Sequence, residues 1–471
     1  MPRFVIENGL VITMERGEPL AFNGDVLVDG SVIRDIAPSI PLQDCERIDA
    51  RDMLVLPGFV DTHRHVWQTQ LRGVAADWTL LDYVVEMRFV FGALYSPDDA
   101  WLGNYAGALE ALDAGVTTLV DHSHILNSPD HSDAAIRGLT DAGIRAVFCY
   151  GMYANPVRDD AGNMTASGFE TPAWHFDDAR RVRADRLSSA DALVTMGLAL
   201  NEIEAFPAET ARPEIELGRE LDVALMSVHV GMGAMSRGRR FVARLAEEGL
   251  LDSRLLFVHG ASLDDDELTL IADAGAALSS TPETEVQMGM GLPVAWRARE
   301  AAANPSLGID IVSNYSGDMF AQMRLALQVE RGRRNSDLEA RGFAPERLDL
   351  TVRDVLELAT IGGARAVHLD SRIGSLVPGK QADIVLVRTD RLGMSPVNDA
   401  VAATVLYANA SDVDSVFVAG HPVKRGGRLL HADVARVREQ LVRSRDRILG
   451  RARYIDRTDI RSAVRGFFPV Q

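Results

Sequence analysis

Four histidines and one aspartate carry the most specific chemical signal in this sequence. His63 and His65 flank an arginine at the end of the apolar run "LPGFVDTHRH", and His229 and His259 each close a later apolar run. Asp310 lies in "SLGIDIVSN", where a buried carboxylate is costly unless it is paired or bound to a metal ion. Imidazole nitrogens and a carboxylate oxygen are ligands typical of zinc, so the set predicts a divalent metal site.

The spacing of the first two histidines suits a strand that ends at such a site. Side chains alternate along a β-strand, so residues two apart point to the same face. His63 and His65 alone would also fit a chance pair on a loop. The histidines at the ends of two other apolar runs favour a site built from several strands.

The middle of the chain supplies those strands. Helix-like segments such as "SPDDAWLGNYAGALEALDAG", with an Asp cap and a closing Gly, separate most of the strand candidates. This alternation predicts an α/β fold with a (β/α)8 barrel, whose active site lies at the carboxyl ends of the strands. A doubly wound sheet is the alternative, although no Gly-rich phosphate loop follows the first strand. The strand candidates are "LVLPGFVDTH", "VTTLVDHSH", "IRAVFCYGM", "LVTMGLALN", "VALMSVHV", "LLFVHG", "AALSS" and "SLGIDIVSN".

Both ends of the chain have the pattern of a small β structure. Short β-branched runs near the N-terminus are divided by Asn8-Gly9 and Asp29-Gly30, which predict hairpin turns. The two ends are expected to combine into one β-sandwich domain. A basic amphipathic helix, "ADVARVREQLVRSRDRILGRARYI", is expected to pack on the surface. The predicted division is residues 1–56 and 371–430 for the β-sandwich, 57–370 for the barrel, and 431–471 for the C-terminal helix and tail.

Composition limits the class of partner. The 471 residues carry a formal net charge of −18, which argues against nucleic acid or an anionic membrane surface as a partner. Cys45 and Cys149 leave no room for a disulfide framework and suit a reducing cytosol. The first residues do not have the pattern of a signal peptide, and no apolar run reaches the length of a membrane span. A cytoplasmic homo-oligomer acting on a small molecule is expected.

Five segments in order along the chain resemble the amidohydrolase superfamily, most closely its subgroup of chlorohydrolases and of S-adenosylhomocysteine and guanine deaminases. The segments are "LPGFVDTHRH…LRG", "GVTTLVD", "LDDDELTLIADAG", "GDMFAQMR" and "GSLVPGKQADIVLV". The resemblance spans nearly the whole chain. It implies a barrel, a composite β-sandwich, and one divalent metal that activates water, with Zn²⁺ expected first and Fe²⁺ or another divalent ion as alternatives.

The resemblance also implies a role for each of the five residues. His63 and His65 match the first two metal ligands, and His229 matches the ligand of the fifth strand. Asp310 matches the ligand of the eighth strand that also acts as the base, and His259 the histidine that polarises the substrate. Binuclear relatives need a carboxylated lysine on the fourth strand. The segment "LVTMGLALNEIEAF" contains no lysine, so one metal ion is expected.

Three positions depart from the family pattern. Met232 stands where the deaminases carry a glutamate, Asn201 where they carry a histidine, and Glu285 where they carry an asparagine. A thioether cannot protonate a ring nitrogen. We therefore expect hydrolysis of an amide-like, cyclic amide or carbamoyl C–N bond. The alternatives are an aminohydrolase or chlorohydrolase of an N-heterocycle, with Glu285 and then Glu202 replacing the missing acid, and a non-catalytic metal-binding protein.

A second group of residues is expected to contact the substrate. These residues are Trp67, Gln68, His124, Asn201 and Glu285. For Trp67 and Gln68 packing at the barrel rim is an equal alternative, and for His124 a hydrogen bond within a loop is.

Overall fold

The structure is a computed structural model that describes residues 3–15, 20–41, 44–153, 155–158, 164–166, 171–202, 204 and 206–466. In chain order its strands are β1 (Arg3–Ile12), β2 (Ala21–Asp29), β3 (Val32–Ala37), β4 (Glu46–Asp49), β5 (Met53–Pro57), β6 (Phe59–Arg64), β7 (Val116–Ser123), β8 (Arg145–Gly151), β9 (Val157–Arg158), β10 (Met164–Ala166), β11 (Val194–Ala199), β12 (Met226–Val230), β13 (Leu255–His259), β14 (Ala277–Ser280), β15 (Pro305–Leu307), β16 (Ile384–Arg388), β17 (Val413–Val418), β18 (His421–Arg425) and β19 (Arg428–Leu429).

Helices separate most of the strands in the middle of the chain. In chain order they are α1 (Leu80–Tyr83), α2 (Pro97–Asp113), α3 (Pro129–Ala142), α4 (Ala173–Asp185), α5 (Arg212–Glu220), α6 (Phe241–Glu247), α7 (Asp265–Asp273), α8 (Pro282–Gln287), α9 (Ala295–Glu300), α10 (Met319–Glu339), α11 (Val352–Leu358), α12 (Ile361–Ala366), α13 (Ala400–Ala402), α14 (Val434–Ala452) and α15 (Thr458–Arg465). A π-helical segment, Val84–Phe91, follows α1 directly.

Eight parallel strands form the centre of the molecule, in the spatial order β6-β7-β8-β11-β12-β13-β14-β15. The ring closes just beyond the short eighth strand, where Asp310 bridges to Arg64 of the first. There the backbone N–H of Asp310 donates to the His63 carbonyl, and the N–H of His65 donates to the Asp310 carbonyl, both at 2.8 Å. The predicted (β/α)8 barrel is therefore confirmed.

The helix that precedes β7 begins differently from the prediction. The N-cap of α2 is Ser96, whose hydroxyl accepts from the Asp99 N–H while the Asp99 carboxylate accepts from the Ser96 N–H. This capping box satisfies two backbone donors that would otherwise lack partners. The prediction of an Asp at the N-cap was therefore wrong. The N-cap is a serine, and the Asp that completes the capping box is the third residue of the helix.

Strands from both ends of the chain form one nine-stranded sheet, in which β5 pairs with β16. The start of β3 meets the segment before β16, where the Ile33 N–H donates to the Lys380 carbonyl at 2.8 Å. The sheet thus curls around its own core, in which Phe4 stacks on Phe417 with ring centroids 5.0 Å apart. The composite β domain is confirmed.

Two local predictions in this region need correction. Asn8-Gly9 is a bulge within β1 and no hairpin turn: Asn8 has φ 63°, and a Cβ at Gly9 would lie 2.4 Å from a Val55 methyl. "LVLPGFVDTH" forms two strands, β5 in the terminal sheet and β6 in the barrel. They divide at Gly58, where a side chain would collide with Thr117. The predicted hairpin at Asp29-Gly30 is confirmed by the pairing of Asp29 with Val32.

The C-terminal helices pack on the barrel near the ends of its strands. Ser444 of α14 donates to Asp99 at 2.6 Å, so the predicted basic helix lies on the surface as expected. Helix α15 lies against the π-helical segment and α1, held by ion pairs of Arg457 with Glu86 at 3.1 Å and of Arg461 with Asp82 at 2.8 Å. Within the described ranges, no helix combines the length and hydropathy needed to cross a membrane.

Candidate active site

Four ligand-type side chains meet at the carboxyl ends of the barrel strands. The Asp310 Oδ1 lies 3.4 Å from the Nε2 of both His63 and His65. The Nε2 atoms of His63 and His229 are also 3.4 Å apart. The structure therefore brings together the four residues that the sequence predicts as a metal site.

The backbone explains how the two histidines of the first strand reach this point together. Arg64, between them, points the other way and is buried, donating from Nε to the Asp61 carboxylate at 2.8 Å. Asp310 has φ 70°, a conformation rare for residues other than glycine and typical of functional sites. Gly308 lets the eighth strand approach, because a Cβ there would lie 2.9 Å from His63.

The spacing of the donors fits a tetrahedral ion. Two ligand atoms each about 2.1 Å from such an ion lie about 3.4 Å apart. The Nδ1 of His65 is 2.9 Å from the His122 carbonyl, and the Nδ1 of His229 is 2.9 Å from the Glu202 carboxylate. Both partners are acceptors, so Nδ1 must carry the hydrogen and Nε2 presents a lone pair to the site.

Burial sets the charge of the ligand-type groups. It lowers the pKa of His63 to about 4 and holds the pKa of His65 well below its ordinary value, so both rings are neutral near pH 7. Burial alone would raise the pKa of Asp310, but the contact with His63 and the neighbouring His259 hold it far below its usual range. Neutral imidazoles around an ionised carboxylate are the donor set that a divalent cation requires.

His259 lies at the end of β13 and lines the same cavity. Its φ is 74°, and its Nδ1 is 2.9 Å from the Thr281 hydroxyl. Burial disfavours the charged ring, but Glu285 and Asp310 outweigh this effect and raise the pKa of His259. A ring anchored through Nδ1 leaves Nε2 to face the cavity.

Glu285 lies behind His259. It is fully buried and accepts from the Ser280 hydroxyl at 2.9 Å and from the Thr281 N–H at 2.7 Å. Its carboxylate is 3.8 Å from the His259 Nδ1, and it is absent from the described side chains that line the cavity. The expected order of the two carboxylates is therefore reversed, because Glu202 reaches the cavity and Glu285 does not.

The cavity, together with the solvent space at its open mouth, has a volume of about 1230 Å³ and is largely apolar. His124 and Asn201 line it, as the sequence predicts for substrate contacts. Trp67 and Gln68 lie one layer behind: the Trp67 Nε1–H donates to the His124 Nδ1 at 3.0 Å, and the Gln68 amide donates to the Tyr83 hydroxyl at 2.6 Å. Four methionines form much of the wall, namely Met232, Met235, Met288 and Met290.

Three further side chains at the site were not among the predicted residues, namely His122, Tyr153 and Glu204. His122 stacks on His229 with ring centroids 4.3 Å apart, and its Nε2 is 2.8 Å from the Tyr153 hydroxyl. Its two-residue spacing from His124 was a usable signal, because both end the same strand. Nothing in the sequence marks Glu204, which accepts from the Gly231 N–H at 3.0 Å and lines the cavity.

Comparison with known sequences places this geometry in context. The sequence model described as "Amidohydrolase family" matches residues 54–423. A 5-methylthioadenosine/S-adenosylhomocysteine deaminase of Desulforudis audaxviator is 29% identical over 454 residues, covering 95% of this chain and 99% of the relative. A 5'-deoxyadenosine deaminase of Methanothermobacter thermautotrophicus is 28% identical over 415 residues, covering 86% and 90%.

Solved structures share the architecture. An adenosine deaminase from Xanthomonas campestris with bound zinc superposes with a TM-score of 0.80 at 25% identity, covering 95% of this chain and 99% of that one. The atrazine chlorohydrolase TrzN from Arthrobacter aurescens TC1, complexed with zinc, gives a TM-score of 0.79 at 22% identity, covering 94% and 100%. The second likeness concerns the fold alone.

Proposed function

This chain belongs to the amidohydrolase family, and from that premise we propose that it is a metal-dependent hydrolase of a non-peptide C–N bond in a small molecule. The observation that carries the proposal is the convergence of three imidazoles and a carboxylate beside His259 in an apolar cavity. An intact ligand set in this family favours an enzyme over a non-catalytic metal-binding protein.

We propose one divalent ion, zinc before Fe²⁺ or another metal, held by His63, His65, His229 and Asp310. The 3.4 Å spacings support this set. His63, His122 and His229 form an alternative group. Both ring nitrogens of His122 already have partners, the Ser227 and Tyr153 hydroxyls, which argues against that group. When bound, such an ion supplies a water of lowered pKa and polarises a carbonyl.

The chain's own groups then divide the work of the reaction. Asp310, ionised and beside the ligand nitrogens, accepts the proton of the attacking water and passes it to the leaving nitrogen. His259, anchored through Nδ1, directs Nε2 at the substrate oxygen and stabilises the charge that develops there. Glu285 acts through His259 as a positioning residue.

The acid/base inventory favours an amide-like, cyclic amide or carbamoyl bond. Met232 cannot donate a proton to a ring nitrogen. Glu204 is buried, with both carboxylate oxygens in hydrogen bonds, to the Gly231 N–H and the Ser236 hydroxyl. Glu202 is engaged with His229 at 2.9 Å. A bond whose nitrogen leaves with the proton carried by Asp310 needs no additional acid.

An aminohydrolase acting on an N-heterocycle is the second candidate, with a chlorohydrolase as its variant. The names of the sequence relatives favour it. So does Glu202, because its side chain is 41% exposed and could turn from His229 toward a ring nitrogen.

A substrate panel separates the two candidates. The zinc-loaded protein is assayed for ammonia or amine release from N-acyl, cyclic amide and carbamoyl compounds and from adenosine-type nucleosides. We expect at least one amide-like class to exceed the nucleosides by about 10²-fold in kcat/KM, the scale of general acid catalysis, and Asp310→Asn to abolish this turnover. Efficient nucleoside deamination that Glu202→Gln abolishes would instead establish the second candidate.

Assembly and location extend the proposal. We propose a homo-oligomer, and the exposed apolar side chains of Leu392 and Tyr454 are candidate contacts of its interface. Light scattering on the purified chain tests this, and a monomeric mass would contradict it. A cytoplasmic location is supported by the free thiols of Cys45 and Cys149.

A further inference from the structure

Arg88 brings an uncommitted donor to the cavity. It belongs to the π-helical segment Val84–Phe91 and lines the cavity beside the candidate metal site. Its Nη1 is buried and has no hydrogen-bond partner among the described residues. Within the same residues, Arg88 forms no ion pair closer than 4.0 Å.

The remainder of the Arg88 side chain is held in place. Its Nη2 donates to the Asn155 side-chain oxygen at 3.1 Å, and its guanidinium lies 4.5 Å from the centre of the Tyr153 ring. The Asn155 amide in turn donates to the His124 carbonyl at 2.9 Å. A positioned guanidinium with an unused Nη1 is a donor prepared for an acceptor.

Tyr153 connects this donor to the reaction centre. The Tyr153 hydroxyl is 2.8 Å from the His122 Nε2 and 3.4 Å from the Nδ1 of His229. Arg88 therefore lies on one face of a ring whose hydroxyl touches a candidate metal ligand. A group bound to the Arg88 guanidinium would therefore lie in the same cavity as the candidate metal site.

We propose that the Arg88 guanidinium binds a carboxylate of the substrate. Resting on the proposed function, this names the substrate class as an apolar N-acyl, cyclic amide or carbamoyl compound that bears one carboxylate. Arg88 is partly buried and forms no close ion pair among the described residues, and a carboxylate of the substrate would supply a direct partner. The methionines of the wall suit the apolar part. Glu202 and Asp310 face the same cavity and repel a phosphate dianion more strongly than a carboxylate monoanion, which favours the carboxylate.

A matched pair of probes tests the carboxylate site. N-acetylphenylalanine and N-acetylphenylalaninamide differ in charge and in little else. Their binding to the zinc-loaded protein is measured by calorimetry. A hydrogen bond between charged groups implies a preference of about tenfold or more for the acid. Arg88→Met should reduce the ratio to about one, and Arg88→Lys should retain part of it.

Arg239 provides the matched control. It also lines the cavity, but its Nε donates to the Met235 carbonyl at 2.8 Å. Arg239→Met should leave the preference unchanged. If Arg88→Met does not fold, as judged by circular dichroism, Arg88→Gln replaces it.

Three results would overturn the Arg88 site: equal binding of the two probes, no binding of the acid, or an undiminished preference in Arg88→Met, which would put the carboxylate on the metal or elsewhere. Hydrolysis is scored separately from binding. An Arg88-dependent preference across a panel without any hydrolysis would support the carboxylate site and count against the proposed function. Hydrolysis without a preference for the acid would support the proposed function and count against the carboxylate site.

Discussion

At the scale of single residues, the partner of one ring nitrogen decides what the other can do. His65 and His229 each donate from Nδ1 to an oxygen, so Nε2 is left available to bind a metal ion. His259 is anchored in the same way through Thr281. A change in any of these partners is expected to act through the imidazole that it orients.

Removing the first two ligand-type residues tests the metal site directly. We expect about one zinc-like ion per chain in the purified protein and less than a tenth of that in the double variant His63→Ala, His65→Ala, because two donors remain. Elemental analysis gives the stoichiometry. His131→Ala is the control, since that buried ring contacts Tyr95 away from the site. Two ions per chain, or an unchanged content in the double variant, would contradict the proposal.

Glu285→Gln tests whether Glu285 works through His259. The altered partner should lower kcat by about 10-fold to 100-fold with little effect on KM, as for other outer partners of a site histidine. Steady-state kinetics on the best substrate of the panel measures the effects on kcat and on KM separately. Glu283→Gln is the matched control, because that neighbour accepts from Gln322 at 2.7 Å. A raised KM at constant kcat would return Glu285 to a substrate-binding role.

Glu214 predicts a pH dependence of stability. Burial raises its pKa from 4.5 to about 7. The folded state therefore binds more protons than the unfolded state between these values, and the free energy of unfolding falls as the pH rises through this window. Glu214→Gln should remove this pH dependence. Its free energy of unfolding relative to wild type should therefore rise by up to about 3 kcal/mol between pH 5 and pH 8. Urea unfolding measures the difference, with the exposed Glu209→Gln as control. If wild type and Glu214→Gln differ in free energy of unfolding by the same amount at pH 5 and at pH 8, the prediction is contradicted.

At the scale of elements, the C-terminal helix forms part of the cavity wall. Val464 of α15 lines the cavity, and the helix is tied to the π-helical segment and α1 by Arg457 and Arg461. The segment that carries Arg88 and the helix that covers it are therefore coupled.

Loosening α15 should weaken binding more than folding. Arg457→Ala with Arg461→Ala removes two partly exposed ion pairs, each worth about 1 kcal/mol or less. We expect a KM several times higher and a melting temperature nearly unchanged. Arg443→Ala on α14, whose ion pair with Glu439 is exposed, is the control. An unaltered KM would show that α15 covers the cavity without contributing to substrate binding.

The sequence predicts these elements unevenly, for physical reasons. Alternation of apolar runs located the barrel strands, and histidines at the ends of those runs located the candidate ligands, because both patterns are local. The division of "LVLPGFVDTH" depends on the contact of Gly58 with Thr117, which is distant in sequence. The place of Glu285 behind His259 also depends on packing between neighbouring strands. Arg88 has no local signature, since its partners Tyr153 and Asn155 come from a distant part of the chain.

At the scale of the whole molecule, the barrel and the terminal sheet share buried contacts. Arg145 of β8 pairs with Asp383, just before β16, at 3.0 Å, and both side chains are nearly inaccessible. Lys424 of β18 pairs with Asp113 at the end of α2 at 2.8 Å. We propose the division at residues 56/57, 370/371 and 430/431 as two domains plus a C-terminal segment, joined by these contacts.

Deleting residues 1–50 should make the chain insoluble. The deletion removes β1 to β4, so the core around Phe4 and Phe417 is lost and the edge of β5 is exposed. Soluble yield and metal content of the truncated chain provide the measurement. A soluble truncated chain with a full metal content would mean that the barrel folds without the terminal sheet.

The pairing of β5 with β16 also has a consequence in time. Val55 pairs with Leu386, more than 300 positions further along the chain. At a synthesis rate of about 5–20 residues per second, the first strands leave the ribosome roughly 15–65 seconds before their partner. During that interval β1 and β2 can form their hairpin, but β5 has an open edge. A chaperone that shields nascent β edges should therefore raise the yield of this chain more than that of a circular permutant in which the two ends are joined.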